Sequence, residues 1–273
     1  MVGRVKAQMR FLGQCEGKPV AYGRQRAKDY LPLVDYEVEI EDARAATHAF
    51  DLDVHGFCLV HAPTRMRDFF DEEARRQTYL PELVHLVRDL TGAEKTIALG
   101  TSVVRRSERS VGYLEPGTSV PGRYAHCDYS LGPMGSLYWL DMALDEDEAN
   151  WRRKRRFAIF NVWRAISKPP HDTPLALCDV RSLRPGDRVA ADCVCDPEGE
   201  PEWRFENTLY HFGPHQRWFY FSGMRQDEVL IFKGYDSDPE HAEGVPHAAF
   251  DNPLCSADAP ARESIDERII AFF

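Results

Sequence analysis

Apolar and polar residues alternate along "VDYEVEIEDAR" (34–44), which is the signature of a strand with one face buried. "HGFCLVHAP" (55–63) is a second short strand that ends at a proline. In "MRDFFDEEARRQTYLPELVHLVRDLTG" (66–92) the period changes, and two helices divided near Pro81 are predicted. Leu83, Leu86, Val87 and Leu90 form the apolar stripe of the second, and Gly92 stops it. Residues 1–30 carry no clean period and read as an arm or an edge strand.

Beyond Gly92 the texture becomes that of a β protein. The runs "TIALGTSVV", "RFAIFNVWRAI", "PLALCDVRSL", "NTLYHFG", "RWFYFSG", "VLIFKGYDS" and "SIDERIIAFF" are separated by Gly, Pro and Asp turns. About eight such strands argue for a sandwich or barrel with helices packed outside. The charged insertion "LDEDEANWRRKRR" (144–156) reads as a solvated loop. With no repeat and no linker, the expected organisation is one domain over 1–273. Residues 31–92 would flank a β-rich core over 93–273.

Composition narrows the function. The chain has 273 residues, 43 % apolar and 29 % charged, with a formal net charge of −10. That acidity disfavours nucleic acid and anionic membrane as partners and leaves a small-molecule substrate. No run approaches a membrane span, and "MVGRVKAQMRFLGQ" lacks a signal peptide's apolar core, so a cytoplasmic location is expected. Seven cysteines without a CxxC pair argue for free thiols rather than a disulfide framework or structural zinc.

The candidate chemistry lies in "RYAHCDYS" (123–130). His126 and Asp128 are two apart, so on a strand an imidazole and a carboxylate converge on one side. Two histidines and a carboxylate form the usual facial cage of non-haem Fe(II), with positions left open for substrate and dioxygen. Of the downstream histidines, His171 sits in a proline-bounded turn and His241 in an acidic loop, and both read as surface residues. His247, His215 and His211 remain, in that order of preference. An oxygenase using 2-oxoglutarate needs a guanidinium and a hydroxyl for the distal carboxylate. Arg262 and Ser264 in "ARESIDER" supply both, fifteen positions after His247. Arg225, which follows His215 and His211, has Asp227 where the hydroxyl is wanted. Arg268, six positions beyond Arg262 on the same strand face, is the competing cation. Asn161 and Trp163 share one face of their strand and are candidate substrate contacts, as is Arg164 on the other face. Trp218 and Tyr220 read as core.

The blocks "AHCDYS", "RRFAIFNVWRAI", "PLALCDVRSL", "RWFYFSGMRQDEVLIFKGYDS" and "VPHAAFDNP…APARESIDER" resemble a family of bacterial and fungal oxygenases. It includes the hydroxylase component of cephamycin biosynthesis and a fungal gibberellin desaturase, and the match runs from about residue 35 to the C-terminus. The resemblance implies a mainly β fold with a double-stranded β-helix (jelly-roll, cupin-like) core, Fe(II), 2-oxoglutarate and dioxygen. It also implies hydroxylation or desaturation of a small secondary metabolite, with 2-oxoglutarate decarboxylated to succinate. Within it, His126 and Asp128 fit the HxD pair, His247 the "PHxAF" histidine and Arg262 the arginine of "RES". Cys127 replaces the family's common Asn, and "PHQRW" shifts its histidine by one, to His215. The rival readings are a metal-dependent hydrolase on a β-barrel, for which no HExxH helix is present, and a barrel that binds a small ligand without chemistry.

Overall fold

The computed structural model describes residues 3–273 apart from 114, 116, 132 and 200, and the backbone only of 133–135. Sixteen strands are described: β1 (Arg4–Leu12), β2 (Val20–Tyr22), β3 (Leu33–Asp42), β4 (Phe57–His61), β5 (Lys95–Ala98), β6 (Val103–Arg106), β7 (Thr118–Ser119), β8 (His126–Cys127), β9 (Phe157–Ala165), β10 (Leu175–Cys178), β11 (Arg188–Cys195), β12 (Trp203–Tyr210), β13 (Trp218–Tyr220), β14 (Glu228–Asp236), β15 (His247–Ala249) and β16 (Glu263–Phe272). They form two sheets. One is ordered β1-β3-β13-β10-β15-β8-β12-β11-β2, and the other β4-β14-β9-β16-β6-β7, with β5 also paired to β16. Sequence-distant strands lie side by side in both, as a jelly-roll requires.

The N-terminal segment resolves to an edge strand. In β1, buried Val5, Ala7 and Met9 alternate with exposed charges. Arg4, Lys6 and Arg10 face Glu39, Glu37 and Asp35 of β3 at 2.6, 3.4 and 3.2 Å. Such exposed pairs stabilise little, but a charged rim keeps a sheet edge from pairing with another chain. The two expected helices are one nearly continuous rod. α1 (Glu72–Ala74) runs through a π-helical turn at Arg75–Tyr79 into α2 (Leu80–Thr91). Pro81 sits in the first turn of α2, directly after the π-helical turn, and does not break the rod. Gly92 ends it at φ 70°.

The rod covers the outer face of the second sheet. Tyr79, Leu83 and Val87 pack on Phe160, Val162, Ile231 and Ile269. The inner face of β9 carries Phe157, Ile159, Asn161, Trp163 and Ala165, so apolar clusters fill both ends of the space between the sheets. Each fully buried side chain of this size contributes roughly 1.5–3 kcal/mol.

Two segments depart from the sequence reading. The charged insertion holds a helix, α4 (Glu146–Arg152), after α3 (Pro133–Ala143). The Asp145 carboxylate caps α4, three acids occupy its first turn, and Arg152 is buried in its last, so the charges follow the helix dipole. Strand β11 was unread because "RVAADCVC" is only partly buried and lacks a sharp alternation.

At Gly234 a bulge between Lys233 and Tyr235 interrupts the β9–β14 register. A Cβ there would collide with the Tyr129 ring, and the Gly234 carbonyl accepts from Cys127 Sγ at 3.3 Å. Gly234→Ala is therefore expected to destabilise the fold by about 1–3 kcal/mol, the usual cost of overpacking. Thermal unfolding should show a lower Tm than wild type, and an unchanged Tm would mean that Tyr129 does not press on this strand.

Candidate metal centre

Strands β8 and β15 are antiparallel neighbours, and their one shared register pair is His126 with His247. Both imidazoles therefore project from the same side of the sheet, with ring centroids 4.3 Å apart. Asp128 follows β8 directly and turns its carboxylate onto the same point. Its Oδ1 lies 3.6 Å from His126 Nε2 and 4.0 Å from His247 Nε2. One ligand atom from each residue fits within 4.8 Å of the others.

Proton placement fits a metal site rather than a hydrogen-bonded cluster. His126 Nδ1 donates to the Tyr124 carbonyl at 2.8 Å, and His247 Nδ1 to the Val245 carbonyl at 3.1 Å. A carbonyl can only accept, so in each neutral ring the proton is on Nδ1 and Nε2 carries a bare lone pair. Burial, then the neighbouring His247, lowers the His126 pKa to about 4, and burial also lowers that of His247. At neutral pH two imidazole lone pairs and a carboxylate oxygen thus face one another with no proton between them. A cation resolves that arrangement, and two histidines with one carboxylate suit Fe(II).

Asp128 is held from the opposite sheet. Its Oδ2 accepts from Asn161 Nδ2 at 2.6 Å on β9 and from Arg268 Nη2 at 2.8 Å on β16. Those bonds commit Oδ2 and leave Oδ1 for the metal. Burial would raise the Asp128 pKa, but the Arg268 guanidinium, followed by the two histidines, holds the carboxyl far below its usual range. Arg268 also pairs with Asp266 at 3.0 Å and donates to the Thr101 carbonyl at 3.2 Å. It is thus committed beside the metal ligand and is not the free cation that a cosubstrate would need.

Arg262 is fully buried and differs from Arg268. Its Nη1 donates to the Thr173 carbonyl at 2.7 Å, and its guanidinium lies 5.5 Å from the centre of the Trp163 ring. Arg262 Nε, Ser264 Oγ and Asp266 Oδ1 are buried without partners among the described residues. Burial and then the nearby Arg105 guanidinium pull the Arg262 pKa down to about 9, the mark of a cation lacking its anion. Arg105, Gly122, Trp163, Leu175, Phe232, Arg262 and Asp266 enclose an inner pocket that ends on His126 and His247.

The other sequence candidates separate clearly. Trp163 lines this pocket, whereas Asn161 is fully buried and donates to Asp128. Arg164 lies on the outer face, where it donates to the Gln226 carbonyl and to the Tyr79 hydroxyl, away from the centre. His215 is bonded to Asp187 at 2.8 Å and His211 to the Leu12 carbonyl at 2.8 Å, so neither approaches the triad. His171, expected at the surface, is buried in the loop beside Thr173. His241 joins Asp53 and Asp236, but Lys233 and Arg156 already neutralise those acids. Arg105 and Gly122 escaped the sequence reading because one comes from the short strand β6 and the other from a loop, neither with a local signature. The bare Cα of Gly122 lets His126 approach, since a Cβ there would stand 2.9 Å from the His126 ring.

Comparisons with known proteins agree with this geometry. A family model described as an oxidoreductase/YMDC permease-like domain matches residues 9–272. An Fe(II)/2-oxoglutarate-dependent dioxygenase, nvfI, of Aspergillus novofumigatus is 32 % identical over 243 residues, covering 87 % of this chain and 83 % of that protein. The hydroxylase/desaturase CTB9 of Cercospora beticola is 32 % identical over 234 residues, 79 % of this chain and 70 % of its own length. A GA4 desaturase of the gibberellin cluster in Gibberella fujikuroi is 26 % identical and covers 86 % of each chain. A solved structure of the iron and alpha-ketoglutarate-dependent endoperoxidase NvfI superposes with a TM-score of 0.84 at 27 % identity, over 100 % of this chain and 99 % of that one.

Asn161→Ala removes one of the two clamps on Asp128 Oδ2 without touching a ligand. Iron affinity is expected to fall about ten- to a hundredfold, the usual effect of losing such a supporting bond. Equilibrium dialysis against Fe(II) measures this, with circular dichroism to confirm the fold. Wild-type affinity in the variant would mean that Asn161 does not hold the ligand.

Proposed function

This chain belongs to the Fe(II)/2-oxoglutarate-dependent dioxygenases, and we propose that His126, Asp128 and His247 hold its iron while Arg262 and Ser264 hold its cosubstrate. Its cofactors are Fe(II), 2-oxoglutarate and dioxygen, and its substrates are small secondary metabolites that it hydroxylates or desaturates. The hydrolase and ligand-carrier readings fall with that membership. The observation that carries the assignment of residues is the set of three unprotonated acceptors facing one another beside an arginine that has no anion.

Fe(II) bound here with 2-oxoglutarate and dioxygen supplies the power to remove a hydrogen atom from an unactivated C–H bond, with formation of succinate and carbon dioxide. The chain's own residues do the positioning. The Nδ1–H bonds to Tyr124 and Val245 fix both ring orientations. Asn161 and Arg268 confine Asp128 to one ligating oxygen. Arg262 Nε and Ser264 Oγ are free to donate to the distal carboxylate of the cosubstrate, over the Trp163 ring. Phe232, 4.7 Å from the His247 ring, and Leu175 keep that side of the pocket apolar and dry. The seven unpaired cysteines support a reducing compartment such as the cytoplasm.

The test is 2-oxoglutarate binding and its turnover to succinate by the iron-loaded protein. Arg262→Ala should raise the dissociation constant about ten- to a hundredfold, since a charge-assisted bond is worth roughly 1.5–3 kcal/mol. Arg262→Lys keeps the charge but loses the planar fork and should fall between. Ser264→Ala should cost less than either. If Arg268→Ala weakens 2-oxoglutarate more than Arg262→Ala does, the assignment of Arg262 is wrong.

His247→Ala should abolish succinate formation, and His215→Ala should leave it near wild type. The reverse result would move the metal away from the β8–β15 pair.

A further inference from the structure

A second cavity, of about 490 Å³, opens beside the metal triad. Its volume is in the range of small-molecule sites. The inner pocket and this cavity share three residues: His126, Gly122 and Arg105. The imidazole of a metal ligand therefore forms part of the cavity wall, and Arg105 stands between the two spaces. Leu31, Leu33, Val120 and Pro121 supply an apolar side.

The charged lining is unequal. Of its four arginines, Arg10 pairs with Asp35 at 3.2 Å, and Arg123 with Glu108 at 2.7 Å and Asp251 at 2.8 Å. Arg26 and Arg105 pair with no carboxylate among the described residues. Arg105 donates only to the Val120 carbonyl, at 3.0 Å. Glu108 is engaged by Arg123, and Asp29 accepts from the Tyr22 amide at 2.7 Å. Arg26, Arg105 and Tyr124 all line this one cavity.

Arg268 stands between Asp128 and Asp266. Arg262 lines the inner pocket alone, whereas Arg105 is shared with the outer cavity and has no carboxylate partner among the described residues.

We propose that the cavity beside His126 binds a small organic carboxylate as the substrate to be oxidised, with Arg26 and Arg105 holding its anionic group. The carbon skeleton lies against Leu31, Leu33, Val120 and Pro121, with the anionic group at the end next to the inner pocket. The segment between β2 and β3 thereby acquires a role, because it brings Arg26 and Leu31 to the cavity beside Leu33 at the start of β3. This deepens the reading given under Proposed function and rests on it.

The experiment uses full-length protein, anaerobic and loaded with Fe(II) and saturating 2-oxoglutarate, so that added acids cannot occupy the inner pocket. Isothermal titration calorimetry compares a panel of alicyclic and aromatic monocarboxylates, among them cyclohexanecarboxylate and 4-phenylbutyrate, with their primary amides. The acids should bind at least about tenfold more tightly than the amides, the worth of one charge-assisted bond. Arg26→Gln and Arg105→Gln should each remove about that factor from the acids and leave the amides unchanged. Arg26 is exposed, so its substitution does not threaten the fold. Equal affinity for acids and amides, no binding of any acid, or a preference that survives both substitutions would overturn the proposal. So would an Arg105→Gln protein that loses 2-oxoglutarate affinity yet keeps the preference for acids, because Arg105 would then serve the cosubstrate. Wild-type protein that fails to bind 2-oxoglutarate at all would instead count against the iron and cosubstrate reading, which keeps the two failures distinct.

Discussion

The centre depends on how one carboxylate is held between two sheets. Asp128 leaves the first sheet at the end of β8, and Asn161 and Arg268 seize its Oδ2 from the second. A buried carboxylate is costly unless it is paired and hydrogen-bonded. Here the pairing also orients it, because engaging Oδ2 turns Oδ1 to the two histidines. The apolar clusters at either end of the intersheet space keep this polar middle small and dry, which strengthens every charge interaction within it.

The same logic separates the two arginines of β16. Arg262 and Arg268 lie on one face of one strand, yet their partners give them opposite roles. Arg268 is saturated by Asp128, Asp266 and Thr101 and is structural to the metal ligand. Arg262 has a carbonyl on one side, an aromatic ring beside it and an unpartnered Nε. Burying a guanidinium without an anion is unfavourable, and a carboxylate ligand relieves that cost on binding. Gly122 and Gly234 serve the site by omission, leaving room for His126 and for Tyr129.

Local pattern and chemistry were legible in the chain itself. Alternation marked β3, the helical stripe marked α2, Gly92 marked its end, and the spacing of His126 to Asp128 and of Arg262 to Ser264 marked pairs that share a face. These signals are readable because a strand's period of two and a helix's 3.6 act over a few residues. The pairing of His126 with His247 across β8 and β15 is of another kind. The two are 121 positions apart, and only the sheet order makes them neighbours.

What tertiary structure alone decided is which side chains share an environment. "FNVWRAI" shows that Asn161 and Trp163 share a side, but not that Asn161 meets a metal ligand while Trp163 meets Arg262. It shows Arg164 on the reverse side, but not that the helical rod covers that side and removes Arg164 from the site. Arg26 and Arg105 carry no motif, because a cavity wall assembled from a connecting segment and a short strand far apart in sequence imposes no spacing on the chain. The residues and their local faces were thus determined by the chain order itself. Their partners were settled only when long-range strand pairing closed the two sheets over one polar point.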